Sequence, residues 1–245
     1  MKKLLLIIPF LALSACDGSI ADVVGDVRSS TFEGGTVIGE AAKNPGEFQG
    51  VTLAGPDNII FTTGAEYSIR AEGDEDALEQ LRYKVTDGQI KVGRENENLL
   101  SSSDKAATIY ITAPSLNSIK LAGSGDIDAD KIAGDTAALT LAGSGNIKIA
   151  DLQTTSLDTK VAGSGDILVS GSAKTTKISI AGSGDISGAA LRTESASIKI
   201  AGSGNVALSS DGTVDSTILG SGNIRIHGDA TCKTNAMGSG EVTCG

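Results

Sequence analysis

Tryptophan is absent from this 245-residue chain, histidine occurs once, and the seven Phe and Tyr residues all lie before residue 111. Most of the chain therefore has no aromatic platform on which bases or sugar rings could stack. With one histidine, His227, and three cysteines, the residues do not support a His-based catalytic triad or a Cys/His zinc set. Positive charge is also scarce: 20 Lys and Arg stand against 30 Asp and Glu, a net charge of −10. Such a surface repels nucleic acid and anionic headgroups, so no nucleic-acid partner is expected.

The chain opens Met1-Lys2-Lys3, continues with an apolar run from Leu4 to Leu13, and reaches Ser14-Ala15-Cys16. A basic start, a short apolar core and small residues at the break describe a secretory signal peptide over residues 1–15, too short for a spanning helix. Leu13-Ser14-Ala15-Cys16 also reads as a lipobox, which makes Cys16 the lipidated first residue of the exported chain. The alternative is ordinary cleavage near Ala15, with Cys16 a spare thiol. Loss of Lys2 and Lys3 with the leader leaves a net charge near −12. The expected location is the cell envelope, with the membrane reached only through the lipid. Residues 17–45, rich in Gly, Ser, Asp and Ala, read as a flexible tether spanning about 30 Å on average.

What the sequence has in abundance is Gly-Ser-Gly. The tripeptide opens at Gly123, Gly143, Gly163, Gly182, Gly202, Gly220 and Gly238, at intervals of 20, 20, 19, 20, 18 and 18 residues. Self-similarity at a fixed period of this length is the mark of a solenoid. Apolar residues alternate before each copy (Leu139 and Leu141, Ile198 and Ile200) and after it (Ile147 and Ile149, Ile167 and Val169), which specifies short strands. Each unit reads as strand, glycine corner, strand, then a looser third side. The fold class is all-β: a parallel β-helix of about seven regular coils of about 20 residues over 116–245. Two inward columns follow. One holds Leu121, Leu141, Val161, Ile180, Ile200 and Ile218; the other holds Ile127, Ile147, Ile167, Ile186, Val206, Ile224 and Val242. Ile132, Leu152 and Leu191 line the third side. No long insertion interrupts these coils.

Residues 46–115 are strand-like but less regular, and form an N-terminal cap. Val51 to Phe61 reads as a degenerate copy of the later unit. Further strands are expected from Tyr67 to Arg70, Gln89 to Val92 and Thr108 to Thr112, with a polar loop at 94–106. Asp74 to Tyr83 changes period; its acidic start suits a helix N-terminus, so one short helix of two to three turns is expected there, with Leu78 and Leu81 on its apolar side.

Each corner is followed by a polar or acidic residue: Asp126, Asn146, Asp166, Asp185, Asn205, Asn223 and Glu241. Stacked coils bring them into a file. Asp and Asn suit tight turns, where they bond nearby backbone N–H groups; the alternative is a weak calcium site built from the row of carboxylates. No cofactor is expected otherwise. The glycine-rich corners lead into strands rather than helix N-termini, so they do not read as phosphate cradles. His227 alternates with inward Ile226 and points outward. Cys232 and Cys244 fall in inward positions of the last coils, where a disulfide would staple the solenoid end; two buried thiols are the alternative.

The Ala-Gly-Ser-Gly-Asp/Asn-Ile units, preceded by Ile109 to Leu116, resemble the bacterial family described as putative auto-transporter adhesin, head GIN domain. The likeness runs from about residue 48 to the end. It implies a right-handed β-helix exported to the cell envelope; it carries no catalytic or binding residues across. Leu219 and Met237 depart from the pattern, replacing the Ala that precedes the other corners. The resulting expectation is a non-enzymatic lipoprotein, a binding or adhesion module whose polar faces meet an envelope protein or glycan. A periplasmic structural or envelope-stress scaffold is the alternative, favoured by Asp17 directly after Cys16. A carbohydrate-active enzyme working through carboxylates would need a cleft that the coils do not suggest. The exposed edge of the last coil could pair with another copy of the chain.

Overall fold

The computed structural model describes residues 32–95 and 106–245. The leader, Cys16 and residues 17–31 of the tether lie outside the described residues, as does most of the polar loop at 94–106.

The first coil is β2 (Gly50–Gly55) and β3 (Asn58–Thr63), joined by a corner at Gly55. The regular array begins with β8 (Ser118–Gly123) and continues through β9 (Ile127–Gly143), β10 (Ile147–Gly163), β11 (Ile167–Gly182), β12 (Ile186–Gly202) and β13 (Val206–Gly220). It ends in β14 (Ile224–His227), β15 (Thr231–Gly238) and β16 (Val242–Cys244). All neighbouring strands of this array pair in parallel. The structure is a parallel β-solenoid, and its seven Gly-Ser-Gly corners enclose six complete coils.

Both expected inward columns are present. Leu121, Leu141, Val161, Ile180, Ile200 and Ile218 stand in register and are buried, and Leu53 adds a rung below them. Ile127 to Val242 form the second column, with Ile59 beneath. Residues 51–61 are therefore a true coil, as the degenerate repeat suggested.

The third side is not loose. The strands run on from one corner to the next, so β9 to β12 are each 16 or 17 residues long. The changes in repeat length are absorbed here, as register shifts between Ile149 and Leu152, Leu168 and Gly171, and Gly188 and Arg192. The corners, by contrast, stay glycine opposite glycine from Gly55 to Gly238. A bulge tolerates an extra residue; the corner does not, for the steric reason given below.

The cap is an insertion folded back under the first coil. From it, β6 (Gln89–Arg94) pairs in parallel with β2, and β7 (Ala107–Ala113) pairs in parallel with β3. Together they make one further coil, placed below β2–β3 although later in sequence. Antiparallel strands then close the end: β4 (Ser68–Gly73) on β7, β5 (Leu81–Thr86) on β6, and β1 (Thr36–Val37) on β5. The short helix α1 (Glu75–Gln80) begins at Asp74, whose carboxylate accepts the Asp76 N–H at 3.0 Å. It is shorter than expected, because Leu81 to Tyr83 belong to β5; its buried residue is Ala77, not Leu81. Phe48 packs edge-on against Tyr67 with ring centroids 5.3 Å apart, and Arg70 lies 4.0 Å over the Tyr110 ring.

Residues 32–45, expected from composition to belong to the flexible tether at 17–45, are packed onto the cap instead. Phe32 and Ile38 are buried, and Lys43 bridges to Ile69. Phe32 covers Gly93, where a side chain would collide with its ring. Two isolated apolar residues show no periodicity, yet each fills a gap at the closed end.

Candidate binding faces of the solenoid

The corner is built by two glycines with separate tasks. The first adopts a φ of 130–141° in every regular unit from Gly123 to Gly238, which side-chain-bearing residues avoid. The second sits directly over the coil beneath: a Cβ on Gly145 would overlap the Gly125 carbonyl oxygen. Backbone N–H groups of the corner donate to the coil below, Ser144 and Gly145 to the Gly123 oxygen at 3.0 and 3.2 Å. The serine between the glycines is exposed in each copy, and Ser221 and Ser239 lie 3.1 Å apart.

The Asp/Asn file is a set of clamps between coils. Asp126 Oδ1 accepts the Asn146 backbone N–H at 2.8 Å and its side-chain amide at 2.9 Å. Asn146 Oδ1 accepts the Asp166 N–H at 3.2 Å, and Asp166 Oδ1 accepts that of Asp185 at 2.9 Å. Asp185, Asn205 and Asn223 repeat the pattern to Asn205, Asn223 and Glu241. The first rung is Asn58, which accepts the Asp126 N–H at 2.9 Å. Sequence reasoning missed Asn58 because Pro56-Asp57 stands where Ser-Gly would mark the corner; the Asn-Ile pair at 58–59 was the available signal. One side-chain oxygen of each residue from Asn58 to Asn223 in the file is thus committed to the next coil. Among the described residues, no group of three or more His, Cys, Asp or Glu side chains converges as a metal-ligand set.

Shallow, open grooves flank the file. One is lined by Asp126, Asp128, Asn146, Lys148 and Asp166, another by Asp185, Asn205, Asn223, Arg225 and His227. His227 is exposed. On the third side, Lys174, Arg192, Glu194 and Asp211 line a further open groove.

Cys232 and Cys244 form a disulfide across the last coil, with Cα atoms 6.5 Å apart. Both occupy inward positions, under Val214 and Ile226. Among the described residues no strand pairs beyond them, and Cys232 is half-buried while Cys244 is exposed. Leu219 and Met237, which replace the corner alanines, are 44% and 59% exposed beside this open end. Among the described residues, no helix is long and apolar enough to cross a membrane.

Similarity to known proteins agrees with this architecture. A putative adhesin from Bacteroides fragilis is 22% identical, with a TM-score of 0.76 over 83% of this chain and 95% of that one. A putative adhesin from Parabacteroides merdae is 20% identical, with a TM-score of 0.63 over 85% and 99%. A putative lipid binding protein from Parabacteroides distasonis is 21% identical, with a TM-score of 0.64 over 84% and 95%. At these identities the likeness is one of fold. No curated protein matches the sequence. The family described as putative auto-transporter adhesin, head GIN domain, matches residues 47–230, three-quarters of the chain, and the chain belongs to it.

Proposed function

We propose that this protein is a non-enzymatic binding module of the cell envelope, held to a membrane by lipid on Cys16 and presenting repetitive polar faces to a protein or glycan. The observation that carries this reading is the unbroken stack. From Gly123 to Gly238 every corner stays in register. Among the described residues, no loop is hung from the coils between Gly123 and Gly238 to wall a cleft, and the grooves along the rod stay open. Catalytic sites on regular scaffolds are commonly assembled from such loops; continuous flat columns instead suit an extended partner. The adhesin family and the adhesin-like neighbours support the same reading.

Protease shaving of intact cells, with lysed cells as control, tests it. Removal of the chain from intact cells, together with reduced adherence of cells lacking the protein, is the expected result. Survival until the outer membrane is broken would replace adhesion with the periplasmic scaffold. Cys16→Ala should release the protein into the soluble fraction.

A further inference from the structure

One face of the solenoid runs against the charge of the whole. The outward row preceding the corners reads, strand by strand in spatial order, Lys84, Lys91, Thr52, Lys120, Thr140, Lys160, Ser179, Lys199, Thr217 and Asn235. It holds five lysines and no acid of its own, in a protein of net charge −10, although Lys160 lies 3.8 Å from Asp158 of the adjacent row. The parallel row beside it adds Lys177 and Lys233 against Asp158 and Asp215. The row on its other side is Ala54, Ala122, Ala142, Ala162, Ala181 and Ala201, small side chains that leave room for a flat ligand as far as Ala201; Leu219 and Met237 continue the row and project beyond it.

The spacing is regular. Lys91, Lys120, Lys160 and Lys199 stand on every second strand, with a hydroxyl residue between each pair, so successive ammonium groups repeat about every 10 Å along the rod. The face also contains unsatisfied polar atoms. Among the described residues, Thr52 Oγ1, Gln89 Oε1 and Asp158 Oδ1 are buried without a hydrogen-bond partner. Thr52, 3% exposed, lies in the lysine row between Lys91 and Lys120; Gln89 and Asp158 lie in the adjacent row. Buried polar atoms are ordinarily paired, and here they cluster where the lysines are.

We infer that this lysine–hydroxyl row binds a linear acidic glycan, one carrying a carboxylate on alternate sugars, laid along the rod axis. The inference rests on the binding-module reading above and names the class of ligand for it. Charge complementarity points to a polyanion, and charge density selects which kind. Duplex DNA carries one charge per about 1.7 Å, far denser than this row can match. A flat glycan repeats equivalent groups every second sugar, close to the two-strand period. Its hydroxyls can meet the half-buried Ser179 and Thr217 of the row, and no aromatic stacking is required.

The test uses the full chain in detergent and measures binding of hyaluronan, which has one carboxylate per disaccharide, across a salt series. A neutral β-1,4-glucan, duplex DNA and phosphatidylglycerol vesicles are the comparisons. Hyaluronan should bind in preference to all three. The Lys120→Gln/Lys160→Gln/Lys199→Gln variant should bind about tenfold or more weakly, with a salt slope lower by about three. Lys43→Gln/Arg70→Gln/Lys131→Gln, with the same charge change away from the row and the grooves, should bind like wild type. Matching melting temperatures show that all variants are folded. Equal losses in both variants, absence of hyaluronan binding, or tighter binding to DNA or vesicles would overturn the inference. Adherence of cells carrying the first variant separates the two readings. Intact adherence without hyaluronan binding discards the lysine row alone, whereas no adherence even with wild-type protein discards the binding module.

Discussion

Asp57 and Arg94, 37 residues apart in sequence, form a two-point ion pair at the base of the solenoid, Nε to Oδ2 at 2.8 Å and Nη2 to Oδ1 at 2.7 Å. Asp57 Oδ1 also accepts the Ala107 N–H at 2.8 Å. Both side chains are almost fully shielded, Asp57 at 0% and Arg94 at 2% exposure. The pair joins the first corner to both ends of the segment linking β6 and β7. Asp57→Ala strips a buried guanidinium of its bidentate acceptor, which costs about 3–5 kcal/mol. Asp57→Ala/Arg94→Met should recover part of that loss, because no charge is then left buried. Urea denaturation of the three proteins checks both statements.

Gly145 tests the corner. Gly145→Ala drives a Cβ into the Gly125 carbonyl oxygen, and the backbone must move in a stack where neighbouring corners share the same register. A loss of about 1–3 kcal/mol or more is expected. Gly39→Ala, where an added Cβ meets nothing within 4 Å, should stay within about 0.5 kcal/mol of wild type. Equal effects at the two sites would mean that the corner is not sterically closed.

The Asp/Asn file should behave as a clamp. Asp185 Oδ1 accepts both the backbone N–H and the side-chain amide of Asn205, at 2.7 and 2.9 Å. Asp185→Ala removes that acceptor and should cost about 1 kcal/mol. Asp185→Asn keeps an oxygen in place and should cost less. Millimolar calcium should leave the melting temperature unmoved; a rise of several degrees that Asp185→Ala abolishes would convert the clamp into a cation site.

The inward columns were legible because burial imposes a period of two within each strand and about 20 residues between coils. Every residue placed in the two columns from sequence stands in its row. The cap was only partly legible because its coil is assembled out of order. Nothing near Lys91 in sequence indicates that it lies beside Thr52, and nothing near Asp57 points to Arg94. The lysine row was hidden for the same reason, and because a residue recurring on every second coil has twice the visible period. Phe32 and Ile38 were hidden because each packs alone. The continuous strands of the third side were obscured by the bulges that absorb the variable repeat length.

The open end of the last coil should support self-association. Among the described residues, β15 pairs only with β13 and β16 only with β14, which leaves one edge of each without a strand, the arrangement that invites pairing with another chain. Leu219 and Met237 add exposed apolar surface beside it. Net charge of −10 opposes contact between copies, so association should strengthen as salt screens that repulsion. Sedimentation velocity over a wide concentration range should show a reversible dimer that Met237→Lys weakens. A strictly monomeric profile at the highest concentration would remove this edge from consideration.

The disulfide is the device that holds that end together. Val214 and Ile226 are covered by Cys232 of β15 and Cys244 of β16, beyond which no strand pairs among the described residues. These two strands are joined by the bond between Cys232 and Cys244, which closes a span of 12 residues. A loop of that length corresponds to about 3 kcal/mol on the chain-entropy estimate. End coils of a solenoid open first, so the loss should be local before it is global. In the Cys232→Ser/Cys244→Ser protein, amide exchange should accelerate over 224–245 while the core of β9 to β11 keeps its protection. Uniform acceleration along the rod would mean that the terminal coil and the centre unfold as one unit.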